Sequence, residues 1–222
     1  MPNLSMENVA YSYRNSNVQA VKQASCIFEP GRLYAIVGPS GSGKSTLLSM
    51  LAGLDLPTEG TVRYGDNRLK DMDLDRYRRE DISMIFQAFQ LFPLLTVLEN
   101  VCYPMELSGI SPKDAKPRAE EFLRRVGITP EQMKRFPSNL SGGEQQRVAI
   151  ARSLASGAKV LLADEPTGNL DVTNTENIME ILSGLAHEDG YCVIVVTHDM
   201  DVAKAADVVY RMSDGVIMAG EE

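Results

Sequence analysis

Leu33-Tyr34-Ala35-Ile36-Val37-Gly38-Pro39-Ser40-Gly41-Ser42-Gly43-Lys44-Ser45-Thr46 is the stretch that decides the fold of this 222-residue chain. Leu33 to Val37 is a short apolar run that stops at a glycine, and it reads as a buried parallel strand. Ser45 to Ala52 reads as a helix, ended by Gly53. Between them, Gly38 to Ser45 matches the spacing G-x-x-x-x-G-K-[ST] at the strand-to-helix junction that its mechanism requires. The glycines permit positive φ, so successive N–H groups can turn inward around phosphate oxygens. Gly38, Ser40, Gly41, Ser42, Gly43, Lys44, Ser45 and Thr46 are the expected phosphate-binding residues. Lys44 brings a point charge to the β- and γ-phosphates, the Ser45 hydroxyl is a Mg²⁺ ligand, and the helix directs its positive end at the anion.

A second segment, Val160-Leu161-Leu162-Ala163-Asp164-Glu165, is an apolar strand that delivers two carboxylates at its C-terminal end, where open α/β sheets bind ligands. Asp164 is expected to hold Mg²⁺, directly or through water. Glu165 is expected to orient or deprotonate the attacking water. Together the two segments imply an ATPase with ATP and Mg²⁺ as its cofactors.

A third segment, Leu140-Ser141-Gly142-Gly143-Glu144-Gln145-Gln146-Arg147, begins with a capping box between Ser141 and Glu144, from which a helix runs through Ser153. Capping leaves Gly142 and Gly143 unexplained, since glycine disfavours a first helical turn. Without side chains the N–H groups there are open to an anion, so the segment reads as a second phosphate grip.

Around these motifs, strands are expected at Leu4 to Tyr13, Ala24 to Phe28, Val62 to Tyr64, Ile82 to Phe86, Lys159 to Ala163 and Tyr191 to Val196, with a last pair near Val208 and Val216. Helices are expected from Thr96, from Pro112 to Val126, from Ser141, and from Thr173 to His187. No strand interrupts residues 88–157. The expected architecture is α/β: a P-loop NTPase (RecA-like) core over 1–87 and 158–222, with an N-terminal antiparallel β portion and a helical lobe inserted at 88–157.

Net charge is −8 and pI about 4.9, which argues against nucleic acid as the partner. Cys26, Cys102 and Cys192 are far apart and form no C-x-x-C, so buried reduced thiols are expected. The N-terminus lacks a signal-peptide pattern, and no apolar run reaches the roughly 18 residues a membrane helix needs. A cytoplasmic chain follows. His187, at a helix end, reads as a solvated C-terminal residue.

Over nearly its whole length the chain resembles the nucleotide-binding subunit of an ABC transporter. The resemblance implies that Ser141, Gly142 and Gly143 complete the ATP site of a second ATPase subunit in a head-to-tail dimer. It further implies that Gln87 contacts Mg²⁺ and the attacking water and links ATP to the membrane partner. Asp171 belongs to a loop crossing the dimer interface, His198 contacts the γ-phosphate, and Tyr13 stacks on adenine, with Tyr11 as the competing aromatic. Phe89, Leu91, Phe92, Leu94 and Leu95 border a groove for a helix of a transmembrane permease subunit, or else form lobe core. Asp164-Glu165-Pro166-Thr167-Gly168-Asn169-Leu170-Asp171 is similar to the lipoprotein-release and macrolide- or peptide-export group. The implied function is export driven from the inner face of the cell membrane. That group also holds a cell-division subunit that activates wall hydrolases without moving a substrate. DNA-repair relatives carry a long coiled coil between the first and third motifs, and ribosomal relatives carry two ATPase units, and this chain has neither.

Overall fold

The computed structural model describes residues 1–14 and 18–219; residues 15–17 and 220–222, inside the expected core segments, lie outside the described residues. The strands are β1 (Leu4–Ser12), β2 (Gln19–Phe28), β3 (Arg32–Val37), β4 (Glu59–Tyr64), β5 (Asn67–Arg68), β6 (Ile82–Phe86), β7 (Val160–Asp164), β8 (Cys192–Thr197), β9 (Val208–Ser213) and β10 (Val216–Ala219). The helices are α1 (Lys44–Leu51), α2 (Leu74–Glu80), α3 (Val97–Leu107), α4 (Pro112–Arg125), α5 (Pro130–Met133), α6 (Gly142–Ala155), α7 (Val172–His187) and α8 (Met200–Ala203).

The strands form two sheets. One is antiparallel, in the order β2-β1-β4-β5; the other, in the order β10-β9-β3-β8-β7-β6, is parallel except for the terminal β9–β10 hairpin. Side chains alternate across the parallel sheet, as the period of a strand requires. Leu33, Ile85, Leu161, Ala163, Val193 and Val195 join the core beneath α3, α4, α6 and α7. Tyr34, Ile36, Leu162, Ile194 and Val196 join the core shared with α1 and the antiparallel sheet. A sheet buried on both faces explains why these strands are continuously apolar. The helices between β6 and β7 pack onto one face of this sheet and share its core.

Three expectations need adjustment. Strand β2 begins at Gln19, five residues before the expected Ala24, because it pairs with β1 as far as Ser12↔Gln19 while only alternate residues such as Val21 are buried. Helix α2 was not expected: its sequence is almost wholly charged, its only buried residue is Tyr77, and Asp73 starts it by accepting from the N–H groups of Asp75 and Arg76. His187 is more than a solvated helix end. Its Nε2 lies 2.9 Å from Asp207 Oδ2, which also accepts from the Leu33 N–H at 2.7 Å, so the pair ties α7 to the edge of β3.

The ends of α6 and α7 nearest the site are locked together. Ser141 caps α6 through the expected capping box with Glu144. Asp171 caps α7, accepting from Asn174 N at 2.9 Å and from Asn174 Nδ2 at 2.8 Å. A Cβ at Gly143 would overlap the Asn174 carboxamide, and one at Gly142 would touch Leu170 and Phe89. Gly143 thus has a packing reason as well: it is buried, with the Asn174 side chain where a Cβ would stand.

Two stability effects follow. Gly143→Ala should lose about 1–3 kcal/mol by overpacking, but little when introduced into Asn174→Ala; denaturant melts of the four chains measure the coupling. Burial pushes the Asp207 carboxyl up, but the Leu33 N–H and His187 outweigh it and hold the group below its ordinary value. A lowered folded-state pKa gives stability that is present above the unfolded value and lost as pH falls through the folded one. Asp207→Asn should thus cost about 1 kcal/mol near neutrality, discounted for its exposure; in urea melts across pH the difference should begin to shrink below about pH 4 and vanish only below the lowered folded-state value.

Candidate functional site

Register gathers the site. Phe86 pairs with Asp164, Asp164 with Val196, and Val37 with Thr197, so β6, β7, β8 and β3 end in line. The residues that follow them, Gln87, Glu165, His198 and Gly38, therefore stand along one edge, the C-terminal edge at which such sheets bind ligands.

The loop after β3 is fixed from below. Gly41 and Gly43 have φ of 79° and 103°. A Cβ at Gly38 would overlap the Met212 carbonyl, and one at Gly43 the Ala20 carbonyl. The Gly215 N–H donates to Ser42 O at 3.0 Å. The loop thus rests on β9, the β9–β10 turn and the start of β2. Lys44 is 7% exposed, and its Nζ donates to the carbonyls of Gly38 at 2.8 Å and Pro39 at 2.9 Å, holding the ammonium within the loop. Ser40 and Gly41 form the exposed crest, and Leu47 N–H donates to Gly43 O to start α1. Among the described residues the buried Ser42 Oγ has no hydrogen-bond partner.

Ser45 Oγ donates to Asp164 Oδ1 at 3.3 Å. Burial pushes the Asp164 carboxyl up, with Glu165 adding to it, while Ser45 and Lys44 act the other way. A half-buried carboxylate beside a hydroxyl is a hard oxygen donor set of the kind Mg²⁺ takes, and a cation there would offset the cost of burying the charge. These residues fit that ion.

Glu165 and His198 are in direct contact, with His198 Nδ1 2.8 Å from Glu165 Oε1. Thr197 Oγ1 donates to Glu165 Oε2 at 3.3 Å, and the Glu165 N–H donates to Val196 O at 2.9 Å. Glu165 has φ of 48°, a conformation uncommon for a residue with a side chain. Its carboxylate is thereby clamped between the ends of β7 and β8, while His198 reaches into solvent. A groove of about 930 Å³ runs from this pair along α7, lined by Met179 and Val202 and away from Lys44 and Ser45.

Gln87 sits across the edge from this pair. Its Nε2 donates to Asn169 Oδ1 at 3.4 Å, and Asn169 Nδ2 donates to Gln87 O at 3.2 Å, binding the loop after β6 to the loop after β7. Asp171 lies at the end of that second loop as the cap of α7. Tyr13 lies just beyond β1, half exposed, with its hydroxyl 2.7 Å from Thr46 Oγ1. Tyr11 points instead to Asp55, at 3.2 Å.

Two supporting residues escaped the sequence reading. Arg152 of α6 donates to the carbonyls of Phe89 at 3.1 Å and Gln90, both of which have φ of 55°. Asn100 of α3 is fully buried, accepts from Phe92 N–H at 2.8 Å, and donates to the carbonyls of Phe92, Leu95 and Thr96. Neither left a signal in the sequence, since an asparagine or arginine within a helix reads as solvated. Beyond them Leu91 packs on the core, while Phe92, Leu94, Tyr103 and Leu107 are each exposed, the Phe92 and Tyr103 rings meeting at 4.8 Å between centroids.

Comparison with known proteins agrees with this arrangement. The sequence pattern of the ABC transporter family matches residues 21–168. The chain is 39% identical over 212 residues to the ABC transporter ATP-binding protein YclH of Bacillus subtilis, covering 96% of this chain and 94% of that one. It is 39% identical to the lipoprotein-releasing system ATP-binding protein LolD of Bacteroides thetaiotaomicron, covering 96% and 98%. It is 43% identical to the macrolide export ATP-binding/permease protein MacB of Rhodopseudomonas palustris, covering 94% of this chain and 32% of that protein. Among solved structures, the dimeric ABC transporter cassette MJ0796 superposes with a TM-score of 0.88 at 39% identity, covering 99% of both chains. A post-hydrolysis dimer of the same cassette bound to ADP and Pi gives the same score. The chain therefore belongs to the ABC transporter family, as an ATP-hydrolysing cassette that uses Mg²⁺.

Proposed function

We propose that this chain powers export of a peptide, drug or lipoprotein by closing head-to-tail with a second copy around two ATP molecules, against a separate transmembrane permease. The observation that carries it is the convergence at one sheet edge of Ser45 with Asp164 (3.3 Å) and Glu165 with His198 (2.8 Å). LolD and MacB, both similar over almost this whole chain, favour export.

In this reading the phosphate loop holds the β- and γ-phosphates through its N–H groups and Lys44. Ser45, Asp164 and Gln87 hold Mg²⁺, which when bound neutralises phosphate charge. Glu165, oriented by Thr197 and its clamped backbone, takes the proton of the attacking water. His198, hydrogen-bonded to that carboxylate and exposed on its outer side, reaches the γ-phosphate. Ser141, Gly142 and Gly143 serve the nucleotide of the second subunit, with Asp171 at the interface and Tyr13 against adenine. ATP would favour the closed dimer through contacts that loss of the γ-phosphate removes.

Residues 88–157 act as a lobe that carries the partner face. Phe92 and Leu94 beside Tyr103 and Leu107 suit a helix of the permease laid into an apolar groove. Among the described residues no helix is long and apolar enough to cross a membrane. The chain would then be cytoplasmic, held at the inner face of the membrane by that permease.

Glu165→Gln keeps the shape of the clamp and removes the base. Its turnover should fall by about 100-fold or more. On size exclusion with light scattering it should pass from monomer to dimer only with Mg-ATP. ATP binding without dimer, both alone and with the permease present, would sink the grip in trans.

A further inference from the structure

A closed circuit of side chains joins Tyr13 to the phosphate-loop helix. The Tyr13 hydroxyl lies 2.7 Å from Thr46 Oγ1. Ser49, one turn along α1, sends its Oγ to Thr46 O at 3.1 Å and to Asp55 Oδ2 at 2.7 Å. The other carboxylate oxygen, Asp55 Oδ1, accepts from the Tyr11 hydroxyl at 3.2 Å. The Tyr11 ring then meets the Tyr13 ring edge to face, at 5.1 Å between centroids and 89° between planes. The Tyr13–Thr46 and Tyr11–Asp55 links join segments distant in sequence, and the circuit returns to Thr46, the neighbour of Ser45.

We infer that Tyr11, Asp55 and Ser49 are positioning residues for the nucleobase: they set the orientation of Tyr13 and tie it to α1, so that base and phosphates are held by one rigid frame. The inference rests on the reading of Tyr13 as the base-stacking residue. Tyr13 lies beyond the end of β1 and is 50% exposed, so a single hydroxyl contact would leave its ring free to swing about that bond. The edge-to-face contact supplies the second constraint. Aromatic rings prefer this geometry because the positive edge of one meets the negative face of the other. It leaves at least one face of Tyr13 uncovered by Tyr11, as a base platform needs. Tyr11 can serve as the fixed member because it is half-buried in β1 and its hydroxyl is anchored on Asp55, which Ser49 holds in turn. The ligand is the base of a nucleoside triphosphate, recognised by stacking, and the frame contributes nothing to a triphosphate lacking a base.

The test is equilibrium binding of ATP and of inorganic tripolyphosphate, each with Mg²⁺, to the full chain. The variants are Tyr11→Leu, Tyr11→Phe, Tyr13→Ala and the double Tyr11→Leu/Tyr13→Ala. Tyr11→Leu should weaken ATP by about threefold to tenfold, while tripolyphosphate changes by less than about twofold. Tyr11→Phe keeps the ring and should recover most of the ATP affinity. In the Tyr13→Ala chain, Tyr11→Leu should have no further effect. The inference is overturned if Tyr11→Leu leaves ATP binding unchanged, if it weakens tripolyphosphate equally, or if it still weakens ATP without Tyr13. If Tyr13→Ala itself leaves ATP binding unchanged, the stacking reading fails and the inference with it; a Tyr13 effect without a Tyr11 effect fails the inference alone.

Discussion

The structure depends on one register. Four parallel strands end side by side, with Phe86, Asp164, Val196 and Ile36 at matching positions. Parallel strands need crossovers, so each end opens into a loop that leaves the sheet on the same side. Chemistry distant in sequence becomes adjacent there without any element having to bend. Both faces of the sheet are buried, so a slip of one residue in any of these strands would turn apolar side chains into the wrong core and displace a site residue with them. Stability of the sheet and placement of the site are the same constraint.

On that edge, unfavourable placements are made tolerable by specific neighbours. Asp164 and Glu165 are adjacent carboxylates, and burial already penalises the charge on Asp164. Lys44, itself nearly buried, is the cation within reach, and its ammonium is satisfied by two loop carbonyls. Glu165 adopts positive φ and is held there by the Val196 carbonyl, Thr197 and His198. Strain and charge of this kind persist only where the surroundings over-determine them. Here the surroundings are the ends of β7 and β8, two almost wholly buried strands.

Much of this was legible in the sequence because the motifs sit at junctions. A five-residue apolar run ending at glycine announces both a buried strand and the loop beyond it. The capping box at Ser141 and the strand ending in Asp164-Glu165 are equally local signals. What was not legible is contact between segments. Gly143 looks like a bare N–H site until Asn174 is seen lying on it. Arg152 and Asn100 look like ordinary helical polar residues until their donors are traced to carbonyls of the loop after β6. Helix α2 was missed for a different reason: with one buried side chain it has no apolar period, and its start rests on Asp73 alone. The Glu165–His198 bond joins residues 33 apart whose proximity only the β7–β8 register supplies.

Those contacts also determine what can move with what. Residues 89 and 90 both have φ of 55°, and Arg152 holds the carbonyl of each. That guanidinium is largely buried, which lowers its pKa, and it lies over the Phe92 ring at 5.9 Å. Arginine remains charged in such a setting, so two carbonyl acceptors at its fork are a strong restraint on the loop. The same helix carries Ser141 at its start, and its first turn packs on Leu170 and Asn174. One rigid rod thus touches the segment after Gln87, the segment after Glu165 and the exposed ring of Phe92. Releasing the loop after β6 from α6 would break both hydrogen bonds to Arg152. The loop after β6, the capped start of α7 and Phe92 are thus joined through residues of α6, which connects the sheet edge to the molecular surface.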